Sequence, residues 1–214
     1  MIFKDRADAG RQLARSLQKY RRENAIILAL PRGGIAVAYE IAKILELPLN
    51  VIISRKLGSP GNSEFGIGAI SENHVRVLDK KTIDFLNISK KEINEIIKQE
   101  NLELQRRIYT YRHNQKLPSL FNKTAILIDD GVATGVTAQA AIKVVYKLRP
   151  KKIVFATPVC AQQAAGVIKN QVDDFICLFC PYDLSAIGAY YKSFFQVTDE
   201  QVIEFLKSKI GELH

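Results

Sequence analysis

The residues with the clearest chemical potential are two adjacent acids, Asp129 and Asp130. The apolar run 124–128 comes directly before them, and a segment with helical periodicity, 138–148, follows a short loop. This order predicts a strand, a loop and a helix. Ligands of α/β proteins bind at the carboxyl ends of such strands. Two carboxylates repel a phosphate but accept hydrogen bonds from a pair of ribose hydroxyls, so a sugar is their natural partner.

The loop after the acids has the composition of an anion site. A loop that enters a helix presents unpaired backbone N–H groups and the positive end of the helix dipole. Gly131 and Gly135 allow an anion to approach the backbone closely, and Thr134 and Thr137 add hydroxyl donors. The P-loop signature is absent, because no Gly-Lys-Ser/Thr ending follows. The segment therefore predicts a phosphate site of another type.

The elements that must position this segment alternate along the chain. Short apolar runs predict strands at 25–30, 49–54, 124–128, 153–157 and 175–179. Apolar residues at helical spacing predict helices at 8–22, 35–45, 89–113, 138–148, 161–170 and 199–209. Such alternation is typical of an α/β fold with a mainly parallel central sheet flanked by helices. Glycine, proline and serine predict a long polar loop over 55–66, and a hairpin over 67–70 and 74–78.

Composition limits the classes of function. The 214 residues suit one domain, 1–214, and the net charge of +9 favours an anionic partner. No apolar run is long enough to span a membrane, and the N-terminus lacks a signal-peptide core, so we expect a cytoplasmic protein without a membrane partner. Cys160, Cys177 and Cys180 form neither a disulfide framework nor a zinc set, and we interpret them as small core residues.

The run 125–137 resembles the motif with which type I phosphoribosyltransferases bind phosphoribosyl pyrophosphate (PRPP). Its form DDGVATGVT is especially similar to that of adenine-type members. The resemblance extends from about residue 8 to the C-terminus and is closest to a bacterial group usually described only as predicted phosphoribosyltransferases. It implies that Asp129 and Asp130 hold the ribose hydroxyls. It also implies that the following residues bind the rest of PRPP: Gly131, Val132, Ala133, Thr134, Gly135, Val136 and Thr137.

Two further segments resemble the family in the expected order. The segment 30–34 resembles the pyrophosphate loop, which often carries an unusual cis peptide, and it adds Arg32, Gly33 and Gly34 to the PRPP site. The segment 54–58 resembles the strand end that precedes a mobile catalytic loop, here about 56–66. Pyrophosphate is a strongly charged leaving group, so Arg55, Lys56 and a bound Mg²⁺ are its expected stabilisers, together with Arg32. Asp129 and Asp130 would contact the metal indirectly, through PRPP.

The resemblance implies transfer of ribose 5-phosphate to a nitrogenous small-molecule acceptor, with release of pyrophosphate, by a protein that is commonly a homodimer. The acceptor stays open, because Ala133 stands where hypoxanthine-type members carry an acid. A small hood over the site is expected from 80–118 and 181–214. Tyr182, Phe194 and Phe195 could stack on a planar acceptor; the alternative is plain core packing.

A second hypothesis is a non-catalytic regulator of the same fold, which senses PRPP or a nucleotide and binds nucleic acid. The basic face formed by Arg11, Arg15 and Arg22 on the first predicted helix would suit it. Regulators of this fold often lose the cations of the mobile loop. Since Arg55 and Lys56 are present, the sequence favours an enzyme and disfavours nucleic acid as a partner.

Overall fold

The computed structural model describes residues 2–208, except for the side chains of Ser63 and Glu64. A five-stranded sheet with the order β2-β1-β6-β7-β8 forms the centre, and every neighbouring pair in it is parallel. The predicted α/β class is confirmed. The strands of this sheet are β1 (Ala25–Ala29), β2 (Leu49–Val51), β6 (Thr124–Ile128), β7 (Lys152–Val159) and β8 (Asp174–Phe179).

Helices cover both faces of the parallel sheet. Along β6, Ala125 and Leu127 pack into one core, whereas Ile126 and Ile128 pack into the other. Burial on both faces explains why these strands are continuous apolar runs. The helices are α1 (Arg6–Ser16), α2 (Gly33–Leu45), α3 (Lys80–Phe85), α4 (Lys90–Arg112), α5 (Val136–Lys147), α6 (Gln162–Lys169) and α7 (Asp199–Lys207).

A second, antiparallel sheet contains β3 (Ser54–Ser59), β4 (Asn62–Ser71) and β5 (Val75–Leu78). The hairpin predicted from 67–70 and 74–78 is confirmed. The long polar loop predicted over 55–66 is wrong, because these residues form the β3–β4 hairpin. The composition of residues 55–66 resembles that of a loop for a physical reason. The β3–β4 register shifts around Gly58, where an irregular ladder tolerates turn-forming residues, and Gly61 forms the turn at a φ of 75°.

The first helix is shorter than predicted. It ends at Ser16, and a 3-10 turn over Gln18–Tyr20 follows, in which the Tyr20 side chain is fully buried. Arg22 therefore lies outside the helix, and Arg11 lies 3.5 Å from the Glu40 carboxylate. The three arginines of the expected basic face therefore do not lie on one helix.

Two smaller expectations also change. Helix α3 was missed, since its six residues are too short to show a helical period. Cys160 is a buried core residue as expected, but Cys177 is half-buried and Cys180 is exposed at the end of β8. Between residues 2 and 208, no helix has the length and apolar character needed to cross a membrane.

The long helix α4 begins with a complete capping box. The Ser89 hydroxyl accepts a hydrogen bond from the Glu92 N–H, and the Glu92 carboxylate accepts one from the Ser89 N–H. We predict that Ser89→Ala lowers the free energy of unfolding by about 1 kcal/mol, because the first turn loses its cap. Urea denaturation checks the value. Lys90→Ala, at the exposed neighbouring position, should change stability by less; an equal loss in both variants would contradict the capping assignment.

Candidate functional site

The candidate site lies at the carboxyl ends of β1 and β6. The chain leaves β1 towards β2 on one side of the sheet and leaves β6 towards β7 on the other. This reversal opens a crevice between the loops that follow the two strands, which is where open α/β sheets bind ligands. The loop 30–34 follows β1, and the loop 129–135 follows β6. The fold therefore brings together the two segments that the sequence assigned to one site.

The two loops touch through glycines. A Cβ atom on Gly33 would lie 1.9 Å from Asp130 Oδ2, and one on Gly34 would lie 2.8 Å from the Ile128 carbonyl oxygen. The Leu30 N–H donates to the same Ile128 carbonyl at 2.8 Å. No side chain fits at either glycine, so the backbone of the first loop lies directly against the acid pair. The peptide between Pro31 and Arg32 is cis, as the resemblance implied.

Asp129 is the more constrained of the two acids. Its Oδ1 accepts the Asp130 N–H at 2.9 Å. Burial, and then the charge of neighbouring Asp130, raise the pKa of Asp129 well above its usual range. The protein therefore holds a carboxyl group where its charge is disfavoured, which is typical of functional sites rather than of sites selected for stability.

Asp130 is neutralised by a residue that sequence reasoning missed. Arg6, at the start of α1, donates from Nε to Asp130 Oδ2 at 2.6 Å and from Nη1 to the Phe195 carbonyl at 2.7 Å. Its guanidinium also lies 3.8 Å from the centre of the Phe194 ring. No sequence pattern could reveal the contact, since 124 positions separate Arg6 from Asp130.

The C-terminal segment closes the other side of the acid pair. The Tyr191 hydroxyl donates to the Asp130 carbonyl at 2.5 Å, and burial raises the pKa of that hydroxyl, which keeps it a donor. A Cβ on Gly131 would lie 2.2 Å from Ile187 Cγ2, so this glycine is required by the close approach of a second 3-10 turn, Ile187–Tyr190. The position of Asp130 therefore depends on residues from both ends of the described chain.

The loop between the acids and α5 has the form of an anion cradle. Val132 is buried, and its N–H donates to the Val159 carbonyl at 2.9 Å, which fixes the loop to β7. Ala133 and Thr134 are exposed, and Gly135 caps α5 with a φ of 77°. Within residues 2–208, the N–H groups of Ala133, Thr134 and Gly135 make no hydrogen bond to another described residue. They are available to a phosphate, as the motif predicts.

The cations predicted to stabilise pyrophosphate lie on two elements: Arg32 on the loop after β1, and Arg55 and Lys56 on β3. Arg32 stands beside the acid pair, and its Nη1 lies 3.8 Å from Asp199 Oδ1 at the start of α7. Arg55 on β3 turns towards α4, where its Nε donates to Glu100 at 2.7 Å. The stem of Lys56 lies against Gly66 of the paired strand, on the opposite face of β3 from Arg55. Arg32 and Arg55 therefore have carboxylate partners here.

Helices α4 and α7 meet at Asp199. The Tyr111 hydroxyl donates to this carboxylate at 2.5 Å, and Arg106 contacts it at 2.8 Å. Both helices belong to segments that were expected to form the hood. The contact joins them beside Arg32, so the two segments form one structure at the edge of the site.

The three candidate acceptor residues differ in their surroundings. The side chains of Tyr182 and Phe195 are 91% and 84% exposed, so core packing is wrong for both. Phe194 is half-buried, with the Tyr191 ring 4.9 Å and the Arg6 guanidinium 3.8 Å from its ring centre. Tyr182 and Phe195 are thus open to a ligand, whereas Phe194 already packs against the acid pair's counter-ion.

The raised pKa of Asp129 makes a prediction about stability. Asp129→Asn keeps an oxygen acceptor for the Asp130 N–H but removes the disfavoured charge, so we expect the free energy of unfolding at neutral pH to rise by about 1 kcal/mol. A carboxyl whose pKa is raised by folding contributes its full stability below its unfolded pKa and loses it as the pH rises through the folded pKa. The advantage of the variant should therefore shrink towards pH 4. Denaturation at several pH values measures it.

The same substitution at the neighbouring acid serves as the control. Asp130→Asn leaves the largely buried Arg6 without its ion pair, and we expect it to lower the free energy of unfolding by about 1–3 kcal/mol. Opposite signs at adjacent positions would reflect the different surroundings of the two carboxylates. A loss of stability in Asp129→Asn at neutral pH would contradict the assignment.

Comparisons with known proteins agree with this geometry. The family model described as "Phosphoribosyl transferase domain" matches residues 2–192. In two strains of Mycobacterium tuberculosis, a curated protein named "Putative phosphoribosyl transferase" is 37% identical over 205 residues. The match covers 96% of this chain but 46% of the curated protein, so the chain spans about half the length of these relatives.

Solved structures give the same picture. The crystal structure of TT1426 from Thermus thermophilus superposes with a TM-score of 0.78 at 36% identity, covering 96% of this chain and 98% of that one. The structure of the AQ2163 protein from Aquifex aeolicus has a TM-score of 0.52 at 12% identity, covers 94% of this chain and 83% of that one, and shows the fold alone. With the acid pair, the anion cradle and the glycine loop in one crevice, and a family model that spans most of its length, this chain belongs to the phosphoribosyl transferase domain family.

Proposed function

We propose that this protein transfers ribose 5-phosphate from PRPP to a nitrogenous small molecule and releases pyrophosphate. The observation that carries the proposal is the crevice between β1 and β6. There the acid pair and the loop 133–135 with its unpaired N–H groups follow β6, the glycine loop of residues 33–34 follows the neighbouring strand β1, and Gly33 lies against Asp130. Each feature suits one part of PRPP, namely its ribose, its 5-phosphate and its pyrophosphate.

The ribose hydroxyls would donate to Asp129 and Asp130. Asp130 is held for this role by Arg6 at its carboxylate and by Tyr191 at its carbonyl. The 5-phosphate would accept hydrogen bonds from the backbone of residues 133–137 and from the hydroxyls of Thr134 and Thr137, at the positive end of α5. These contacts fix the sugar, so that its C1 carbon faces the first loop.

The pyrophosphate would lie on the backbone of the loop 30–34, where Gly33 and Gly34 carry no side chain of their own, next to the Asp130 carboxylate that packs against Gly33. Arg32 is the cation nearest to this loop, and its 3.8 Å contact with Asp199 is loose enough to exchange for a phosphate oxygen. Arg55 and Lys56 are proposed to reach the leaving group from the β3–β4 hairpin. Arg55 would have to leave Glu100 to do so, and the hairpin would have to close over the site.

Mg²⁺ is part of the proposal as the counter-ion of PRPP. Among the described residues, no group of three or more His, Cys, Asp or Glu side chains could form a metal cage. The Mg²⁺ would be bound mainly by substrate phosphates and hydroxyls, with Asp129 and Asp130 in contact only through PRPP. When bound, the metal would neutralise charge on the departing pyrophosphate.

The acceptor would enter on the side of the C-terminal segment. Tyr182 and Phe195 present exposed rings there, which could stack on a planar nitrogenous compound. Ala133 supplies no acid beside such an acceptor, so the nitrogen would have to attack with little help from this position. The proposal is completed by a homodimer, which the resemblance implies, and by a cytoplasmic location, which the composition favours.

Pyrophosphate release from PRPP and Mg²⁺ against a panel of nucleobases and other amines tests the reaction directly. We expect at least one acceptor to raise release well above the rate without acceptor, because a positioned nucleophile gains from proximity. The Asp129→Asn/Asp130→Asn variant is the blank. Tight PRPP binding without release from any acceptor would contradict the transferase and favour the regulator.

The ribose assignment has a separate test. Asp130→Asn removes one charged acceptor of the ribose hydroxyls and the partner of Arg6, so we expect PRPP affinity to fall by about tenfold to a hundredfold. Isothermal titration calorimetry measures it, with far-ultraviolet circular dichroism to verify folding. Asp84→Asn, an equal charge change on exposed α3, is the control and should bind normally. Unchanged affinity in Asp130→Asn would show that the ribose binds elsewhere.

A further inference from the structure

A polar cavity of about 380 Å³ lies apart from the candidate site. Its walls come from the turn after β4, from the C-terminal half of α4 and from the segment that leads to β6. None of the residues predicted to bind PRPP lines it. Its volume lies in the range of small-molecule pockets. Its lining includes the charged and amide side chains of Glu72, Asn101, Gln105, Arg112 and Lys116.

The most unusual group in this cavity is the guanidinium of Arg112, the last residue of α4. Its side chain is only 5% exposed, and its Nη2 is paired with the buried carboxylate of Glu72. Its Nε and Nη1 atoms are buried and have no hydrogen-bond partner among the described residues. Buried donors are nearly always satisfied, and each one that is not costs about 1–3 kcal/mol. Arg112 therefore has hydrogen-bonding capacity that the protein itself does not use.

The carboxylate beside it does not accept from the Nε and Nη1 groups. Glu72 Oε1 already accepts the Ile53 N–H at 2.9 Å, and its Oε2 accepts from Arg112 Nη2. Around the pair, the cavity adds the cation Lys116 and neutral amides, among them Asn101 and Gln105. The lining thus has one more positive than negative formal charge, together with donors that can orient an oxygen-rich group.

We propose that this cavity is a second binding site, for a small molecule that carries one phosphate or carboxylate group. The anionic oxygens would accept the free N–H groups of Arg112 and meet Lys116 at the exposed side. The amides of Asn101 and Gln105 would hold the polar remainder of the ligand. Phosphate and carboxylate share this chemistry, and titrations with inorganic phosphate and with succinate separate them.

The location makes the cavity distinct from the PRPP site. It is lined by Leu148, which follows the last turn of α5, whereas the anion cradle lies at the first turn of the same helix. The 12 residues of α5 separate the two ends by about 18 Å. Glu72 connects the cavity to the hairpin as well, since it holds the N–H of Ile53, one residue before β3.

The Arg112 Nε–H resonance in a ¹⁵N-labelled sample reports on the site. We expect it to shift in a saturable manner as inorganic phosphate or succinate is added up to about 10 mM, which exceeds a Kd of about 1 mM tenfold. A larger effect of phosphate would assign the site to phosphorylated ligands, and a larger effect of succinate to carboxylates. No shift with either anion would overturn the proposal.

Variants separate the cavity from the anion cradle, which also binds phosphate under the proposed function. Thr134→Ala/Thr137→Ala should weaken phosphate binding at the anion cradle but leave the shift of the Arg112 resonance unchanged. If the shift disappears in that variant, the resonance reports on the cradle and the proposal fails. Lys116→Ala should weaken phosphate binding in the cavity by about twofold to fivefold, since it removes one exposed charge.

A paired substitution removes the site without leaving a buried charge. Glu72→Gln/Arg112→Met keeps an oxygen acceptor for the Ile53 N–H and replaces the guanidinium by an apolar chain, a type of change that folded proteins often tolerate. It also assigns the Arg112 resonance. By calorimetry, wild-type protein should bind two phosphates and this variant one, with PRPP binding retained. A single phosphate in both proteins would overturn the proposal.

Discussion

The arrangement of this molecule depends on keeping two neighbouring carboxylates at the end of a buried strand. Asp129 is held where its charge is disfavoured, and Asp130 lies next to it. Three features follow from this constraint. Gly33 leaves room for the Asp130 carboxylate, Arg6 neutralises it, and Tyr191 fixes its carbonyl. The protein gives up stability at this point to keep acceptors where a sugar could meet them.

Arginines around the crevice are paired with acids from other elements. Arg6 pairs with Asp130, Arg32 with Asp199, and Arg55 with Glu100. The partners come from the loop after β6, from α7 and from α4, so the charges link the sheet, the expected hood and the hairpin. A weakly charged ligand gains little by breaking such pairs, whereas a ligand with several phosphate charges can exchange one partner for another. The proposed substrate, with its pyrophosphate and 5-phosphate groups, carries enough charge for such an exchange.

The sequence was most informative where a local pattern determines structure. The strand, acid pair, glycine-rich loop and helix around residues 124–148 form as predicted, because apolar runs and turn residues act over short distances. The capping box of Ser89 and Glu92 likewise depends on residues only three positions apart. The hairpin at 54–71 could not be found in this way, since its strands are specified by pairing with each other rather than by alternation. The contacts of Arg6, Tyr191 and the Glu72–Arg112 pair were also beyond reach, because their partners are 40 to 124 positions away.

The junction of the two chain ends has a consequence for synthesis. Phe3 forms backbone hydrogen bonds with Tyr190 and Lys192, and Arg6 reaches both Asp130 and Phe195. During translation the N-terminal helix and the first strands emerge long before residues 190–195 are made. Until then, Asp130 lacks the hydroxyl of Tyr191, and Phe3 has no strand-like partner. Strands β1, β2 and β6 are therefore synthesised early, but Asp130, which follows β6, reaches its final position only after the segment around Tyr191 has left the ribosome.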